Sequence, residues 1–311
     1  MSNKTDIATE KSLSGHASAD SYDIVFIGEM GTAKIVPFLG PSFMVEHGPV
    51  VFSAAAASCL GKRIAAVTKI PEGKERLLEP LKAKRIDVIA RRGELGEILV
   101  KLPSANLDER QASVVKIGDS LGLDDIPLFE PCLVHLCCLG PRSTQLDVMR
   151  ALKARGFRLS VDMQGFVFQP DAETGEVHLE DVPEKKEILA LADYVKLDAA
   201  EARALTGTDV LQHQADILEN WGSSETVITC AQGVLAHRKG RPTFFKFTNS
   251  SIRGRMGRGD TVIGSYLARR LDHSVEDSLR FAVALTSIKL EAAGPFEGSV
   301  EEVIAKMQQV E

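Results

Sequence analysis

Residues 254–270 read GRMGRGDTVIGSYLARR, and the reading of this stretch decides the fold. Gly254, Gly257 and Gly259 fall at close intervals just ahead of Asp260. From Val262 onward the apolar residues Val262, Ile263, Tyr266, Leu267 and Leu271 recur at helical spacing, so the segment reads as a glycine turn feeding a helix. Glycines let a backbone turn tightly and approach a ligand, and the first turn of a helix presents unpaired N–H groups at the positive end of its dipole. Such a place holds an anion. A carboxylate at the same spot is placed to take a proton from a hydroxyl attacking a phosphate, which makes Asp260 a candidate general base for phosphoryl transfer. The competing reading is structural, because an Asp at a helix start is often only a cap. The stretch lacks the Gly-Lys-Ser/Thr ending of a P-loop and the third glycine of a dinucleotide fingerprint. Arg258-Gly259-Asp260 also spells an adhesion tripeptide, which is set aside because it runs straight into an apolar-periodic helix in a chain read as having no export signal.

Upstream of this turn, short apolar runs alternate with helical patterns. Residues 22–28 (YDIVFIG) read as a buried strand ended by glycine, 50–60 as a small-residue helix and 63–68 as the next strand, a βαβ opening. Strands at 133–136, 158–162 and 194–197 interleave with helices at 143–155 and 184–192. That alternation predicts an α/β fold, a doubly wound and mostly parallel sheet whose ligands sit at the strands' carboxyl ends. Residues 227–230, 234–237 and 244–247 look like short antiparallel strands. Ser274 caps a helix whose core face is Val275, Leu279, Ala282, Val283 and Leu290, and Ser299 with Glu302 makes a capping box for a last helix. Two segments, 34–46 and 85–103, fall outside the alternation and are expected to form a small β lid. Residues 1–21 are rich in Ser, Thr, Lys and Asp and are expected to be a disordered tail, leaving 22–311 as one domain.

The 311 residues, 44% of them hydrophobic, suffice for one large core. A net charge of -6 offers little attraction to nucleic acid or an anionic membrane, and no apolar run is long enough to span a bilayer, so small molecules are the expected partners. Cys59, Cys132, Cys137, Cys138 and Cys230 make an odd set without Cys-x-x-Cys spacing. They indicate neither a disulfide framework nor a zinc site and fit a reducing, cytoplasmic setting. His47 and His135 have no second histidine at metal spacing and read as structural or solvated. Asp162 ends a buried strand at the ligand-bearing edge, where it either contacts substrate or caps a turn.

From Tyr22 to the C-terminus the order of these pieces resembles the PfkB/ribokinase family of carbohydrate and nucleoside kinases. Gly257-Arg258-Gly259-Asp260 is similar to the family's late signature. The resemblance implies an anion hole at Gly257, Arg258 and Gly259, with Asp260 as the base that deprotonates the acceptor hydroxyl. Val195 to Gly207 is similar to the segment whose Asn-x-x-Glu orders magnesium through water; Glu201 matches and Asp198 stands in place of the asparagine. Thr229 to Gly233 is similar to, but one residue shorter than, the loop that touches the nucleotide, and 289–296 (KLEAAGPF) is similar to the segment lining the adenine side. Thr229, Gly233, Lys289 and Gly294 are the nucleotide contacts so implied, with ATP and Mg2+ as cofactors.

The departures gather at the acceptor. Where the family has an aspartate, a glycine pair and an asparagine, this chain has Gly31 to Lys34, His47-Gly48 and Ser53. Lys34, His47, Gly48, Ser53 and Arg255 are therefore the expected acceptor contacts. Two carboxylates are exchanged for the donors Lys34, His47 and Arg255, expected to be largely cationic, which suggests an acceptor with an anionic group, a neutral polyol such as an inositol staying open. The expected function is ATP-dependent phosphorylation of a hydroxyl on a sugar, polyol or nucleoside. The rival is a non-catalytic nucleotide- or sugar-binding protein descended from such a kinase. Lids of this family often mediate dimers, so a homodimer through the lid is implied.

Overall fold

A computed structural model describes residues 21–106 and 108–311; the expected tail, apart from Ser21, lies outside them. The first half contains β1 (Ile24–Gly28), β2 (Gly31–Val36), β3 (Phe43–Val45), α1 (Pro49–Ala57), β4 (Ile64–Ile70), α2 (Glu79–Lys82), β5 (Asp87–Arg92), β6 (Gly96–Lys101) and β7 (Gln111–Lys116). There follow β8 (Leu133–Cys137), α3 (Arg142–Ala154), β9 (Arg158–Asp162), α4 (Gln164–Val167), β10 (Phe168–Pro170), β11 (Val177–Leu179), α5 (Lys185–Leu191) and β12 (Tyr194–Asp198). The chain continues through α6 (Ala199–Thr206), α7 (Leu211–Asn220), β13 (Thr226–Thr229), β14 (Gly233–Arg238) and β15 (Arg241–Lys246). It closes with α8 (Arg258–Arg270), α9 (Val275–Leu290) and α10 (Val300–Met307).

The central sheet has nine strands in the order β15-β14-β13-β12-β9-β8-β1-β4-β5, every pairing parallel except the two that β14 makes with β13 and β15. Strands β1, β8, β12 and β13 are buried along their whole length, as expected of parallel strands covered on both faces. One core layer gathers α1, α8 and α9 on one face, and a second gathers α3, α5, α6 and α7 on the other. The three short strands expected at 227–247 extend this sheet. The chain leaves β1 toward β4 and β5, then returns through β8 to run the other way. The order therefore reverses between β1 and β8, and the crevice outside their carboxyl ends is where a ligand of such a sheet sits.

A separate four-stranded sheet, β3-β2-β6-β7, forms the lid. Its strands differ from the expected boundaries. Residues 87–92 pair in parallel with β4 at the edge of the central sheet, while β7, which carried no expectation, completes the lid. Both differences have one cause: a half-exposed edge strand and a lid strand carry the same mixed burial, and only pairing tells them apart.

The helix after the glycine turn is set by a close crossing with α1. A Cβ on Gly264 would lie 2.0 Å from the carbonyl oxygen of Ser53, and one on Gly257, which has φ +75°, would enter the Phe52 ring at 2.2 Å. Gly264→Val is therefore expected to destabilise the fold by about 3 kcal/mol through overpacking. Gly122→Ala is the control, since nothing lies within 4 Å of a Cβ there, and its midpoint of thermal denaturation stays near that of the parent.

Candidate active site

A pocket of about 360 Å³ opens at the carboxyl ends of the central strands under the lid. Its walls come from Glu29 after β1, Cys138 and Gly140 after β8, Lys196 and Asp198 on β12, Thr229 on β13, and the turn from Arg255 to Asp260. The lid closes it with Ala33, Ile98, Val100, Ala112 and Val114, the inward members of alternating strands.

Asp260 is the third residue of α8, inside its positive first turn. Burial pushes its carboxyl up to about 6, against the pull of the Lys196 ammonium. Beside it, Arg258 is 7% exposed; one of its nitrogens bonds Asp108 Oδ1 at 2.9 Å, and Nη1 is buried with no partner among the described residues. A buried guanidinium nitrogen left unpaired in the first turn of a helix is suited to an anion's oxygen. Gly259 is glycine for the same reason of space: its Cβ would meet Lys196 Nζ at 2.8 Å.

Lys196 sits inside a buried strand, held by Asp162 Oδ2 at 2.9 Å and near Glu201 Oε2 at 3.9 Å. Burial alone would lower its pKa, but the carboxylates of Asp162 and Glu201 outweigh that and keep it charged. Of the two roles its sequence position allowed, Asp162 shows the turn cap, since its other oxygen accepts from the Gln164 N–H, and it is not among the residues lining the pocket.

The acid pair expected to order magnesium is engaged elsewhere. Asp198 Oδ1 accepts from Glu201 N and Glu201 Oε2 from Asp198 N, a reciprocal cap at the start of α6. The two remaining oxygens accept from Arg110, at 2.5 Å to Asp198 Oδ2 and 3.0 Å to Glu201 Oε1. Burial holds back ionisation of both acids, but Arg110 and Lys196 take Asp198 below its usual range, while Glu201 beside it is pushed up to about 7. All four oxygens are spent, and among the described residues no cluster of three or more His, Cys, Asp or Glu could hold a metal. The residues present do not fit a magnesium site at this pair.

The remaining expected contacts divide. His47, Gly48 and Arg255 line the pocket with Thr229. Burial lowers the pKa of His47, so the ring is neutral near pH 7, and the expectation of a cation there is corrected. Lys34 is exposed on the outer face of β2, because Ala33 and Ile35 on either side take the inward positions. Ser53 is fully buried and bonds the Pro49 carbonyl and Cys137 Sγ, away from the pocket. Gly233 starts β14 against the Phe245 carbonyl, and Gly294 occupies a turn after α9; neither lines the pocket. Lys289 is buried and donates to the carbonyls of Gly254 and Met256, with its ammonium 5.0 Å from the Phe52 ring centre. It props the glycine turn from behind.

Sequence reasoning passed over Glu29, Lys196, Asp108 and Arg110. Glu29 follows β1 directly, lines the pocket and has its carboxyl pushed up to about 7 by burial. The signal for Lys196 was a lysine in the middle of an otherwise apolar strand. For Asp108 and Arg110, from a lid connection, no local signal existed.

A helix start with a buried carboxylate in its first turn thus opens on a crevice under a lid. A family model described as pfkB family carbohydrate kinase matches residues 177–302. Among solved structures, a pyrophosphate-dependent kinase in the ribokinase family complexed with a pyrophosphate analog and myo-inositol superposes with a TM-score of 0.81 at 27% identity, over 91% of this chain and 99% of that one. A pyrophosphate-dependent myo-inositol-1 kinase converted into a myo-inositol-3 kinase gives 0.79 at 26% identity, over 92% and 98%. Arabidopsis thaliana ribokinase complexed with ribose and ATP gives 0.69 at 17% identity, over 93% and 99%, a likeness of fold. No curated protein matches the chain. The chain is thus similar to kinases of the PfkB/ribokinase type, which are phosphotransferases acting on hydroxyl groups.

Removal of the Lys289 ammonium leaves two carbonyls of the turn unpaired, worth about 1–3 kcal/mol each where buried. Lys289→Met is therefore expected to speed amide exchange over 256–260 while exchange in β1 and β8 stays slow, as hydrogen-exchange mass spectrometry would register.

Proposed function

We propose that the chain transfers a phosphoryl group from a phosphoanhydride, pyrophosphate in preference to ATP, to a hydroxyl of a neutral cyclic polyol of the inositol kind. The observation that carries this reading is that Asp260 and Arg258, whose Nη1 is buried without a partner among the described residues, line one pocket at the start of α8. In the reaction, Asp260 takes the proton of the acceptor hydroxyl as its oxygen attacks phosphorus. The bond to the bridging oxygen breaks, and inorganic phosphate leaves. The α8 N–H groups and Arg258 neutralise the equatorial oxygens. A base so placed supports an enzyme over a binding protein.

The donor choice has its own support. The Ala231 N–H, in the loop expected to touch a nucleotide, is capped by Asp108 Oδ2 at 2.7 Å, and Lys289 is spent on the glycine turn. Arg110 and Arg258 instead crowd Arg255, and burial together with these two cations lowers its pKa to about 10. Cations drawn together in this way suit a small, highly charged anion. Both solved structures above 25% identity described here carry pyrophosphate dependence in their descriptions. For the acceptor, Lys34 lies off the pocket, His47 is neutral and Arg255 turns to Glu109, whose carbonyl it meets at 2.9 Å. Those placements remove the case for an anionic acceptor and leave Glu29 as the carboxylate for paired hydroxyls. Phe43, Met44 and Val115 are exposed on the lid, which suits a homodimer through that face, measurable by light scattering.

With myo-inositol as acceptor, turnover with pyrophosphate is expected to exceed turnover with ATP; equal or greater use of ATP would overturn the donor choice. Asp260→Asn is expected to fold normally and lose about a hundredfold or more in kcat. The ionised base is required, so activity is expected to be full above pH 6 and to fall as pH drops through about 6, where Asp260 takes up a proton. Glu29→Gln is expected to raise acceptor KM by about tenfold and leave donor KM alone, as for a lost charge-assisted bond.

A further inference from the structure

We propose that Arg110, carried in by the lid, takes the place of a metal at the Asp198–Glu201 pair and is a donor-binding residue. This rests on the phosphoryl-transfer reading above. A pair that served a divalent cation would present free carboxylate oxygens to the pocket. Here two of the four close the cap of α6 and two accept from the guanidinium, which is also stacked 5.2 Å from the centre of the Phe168 ring. The guanidinium is thus fixed by two anions and an aromatic face, and it lines the pocket beside Asp198. Arginine suits the task because its fork binds a carboxylate pair through some nitrogens and leaves others for phosphate oxygens.

The segment that delivers it is tied down at three points. Asp108 bonds Arg258 and the Ala231 N–H, the Glu109 carbonyl accepts from Arg255, and Arg110 holds the acid pair. The connection therefore holds Arg110 near Arg255, which Arg258 also approaches, against the repulsion of like charges. An oligophosphate anion compensates that repulsion, and a merely structural tie does not need it.

Two direct measurements on the full chain test this. Ligand-free Arg110→Ala is expected to gain one Mn2+ site over the parent by electron paramagnetic resonance, and Arg110→Ala/Glu201→Gln to lose it again. By calorimetry, Arg110→Ala is expected to bind pyrophosphate about tenfold or more weakly, with Arg110→Lys in between. The double variant, which removes a buried charge left without its partner, carries the pyrophosphate test if the single variant does not fold. A Mn2+ site in the parent that Glu201→Gln abolishes would overturn the proposal, as would undiminished pyrophosphate binding without Arg110. Failure of the parent itself to bind pyrophosphate or ATP would overturn the proposal together with the function beneath it, whereas equal binding by parent and variant overturns the proposal alone.

Discussion

Everything at the site depends on the crossing of α1 and α8, where the backbone of Gly264 lies so close to the Ser53 carbonyl that no side chain fits between them. That contact fixes the axis of α8 and so the point at which its unpaired N–H groups emerge. Gly257 against the Phe52 ring fixes the turn that leads in, and Lys289 ties the turn's carbonyls from behind. Helix α1 packs on β1 and β4 and α8 on β12 and β13, so the helix dipole, the carboxylate of Asp260 and the carboxyl ends of four strands converge on one crevice. Packing decides the chemistry here, because a shift of α8 by one turn would carry Asp260 and Arg258 together out of the pocket.

The second feature is a set of charges that a stability argument alone would not keep. Lys196, Asp162, Asp198 and Glu201 are all buried, and removing ions from water costs several kcal/mol each before pairing returns part of it. Well-packed apolar residues would serve the fold as well. The set makes sense as preorganisation: Lys196 eases ionisation of Asp260, the acid pair aims Arg110, and each cation is in place before a donor arrives. The apolar side chains of the lid line the crevice above them, and a low-dielectric wall strengthens each of these interactions.

The frame was legible in the sequence because buried parallel strands are short apolar runs and the helices carry their caps. The glycine turn with Asp260 was legible too, since its glycines answer to close approach that only glycine tolerates. What escaped was decided by pairing and by side-chain direction. The 87–92 strand belongs to the central sheet through β4, a fact no local pattern carries. Lys34 was taken for a pocket residue and points outward, one position out of phase with its inward neighbours, and Ser53 lies a helix face away from the ligand. Glu29 escaped because a carboxylate was sought several residues further along. Asp108 and Arg110 reach the site only because the lid folds over it, which makes them readable from the tertiary structure alone.

The central claim is that the start of α8 binds the phosphate being transferred next to Asp260. A crystal structure with a non-hydrolysable pyrophosphate analogue tests it most directly. The account predicts phosphonate oxygens within hydrogen-bonding distance of the Gly259 N–H and of Arg258 Nη1, with Arg110 still on Asp198 and Glu201. An analogue seated elsewhere, with the first turn of α8 left to water, would contradict it.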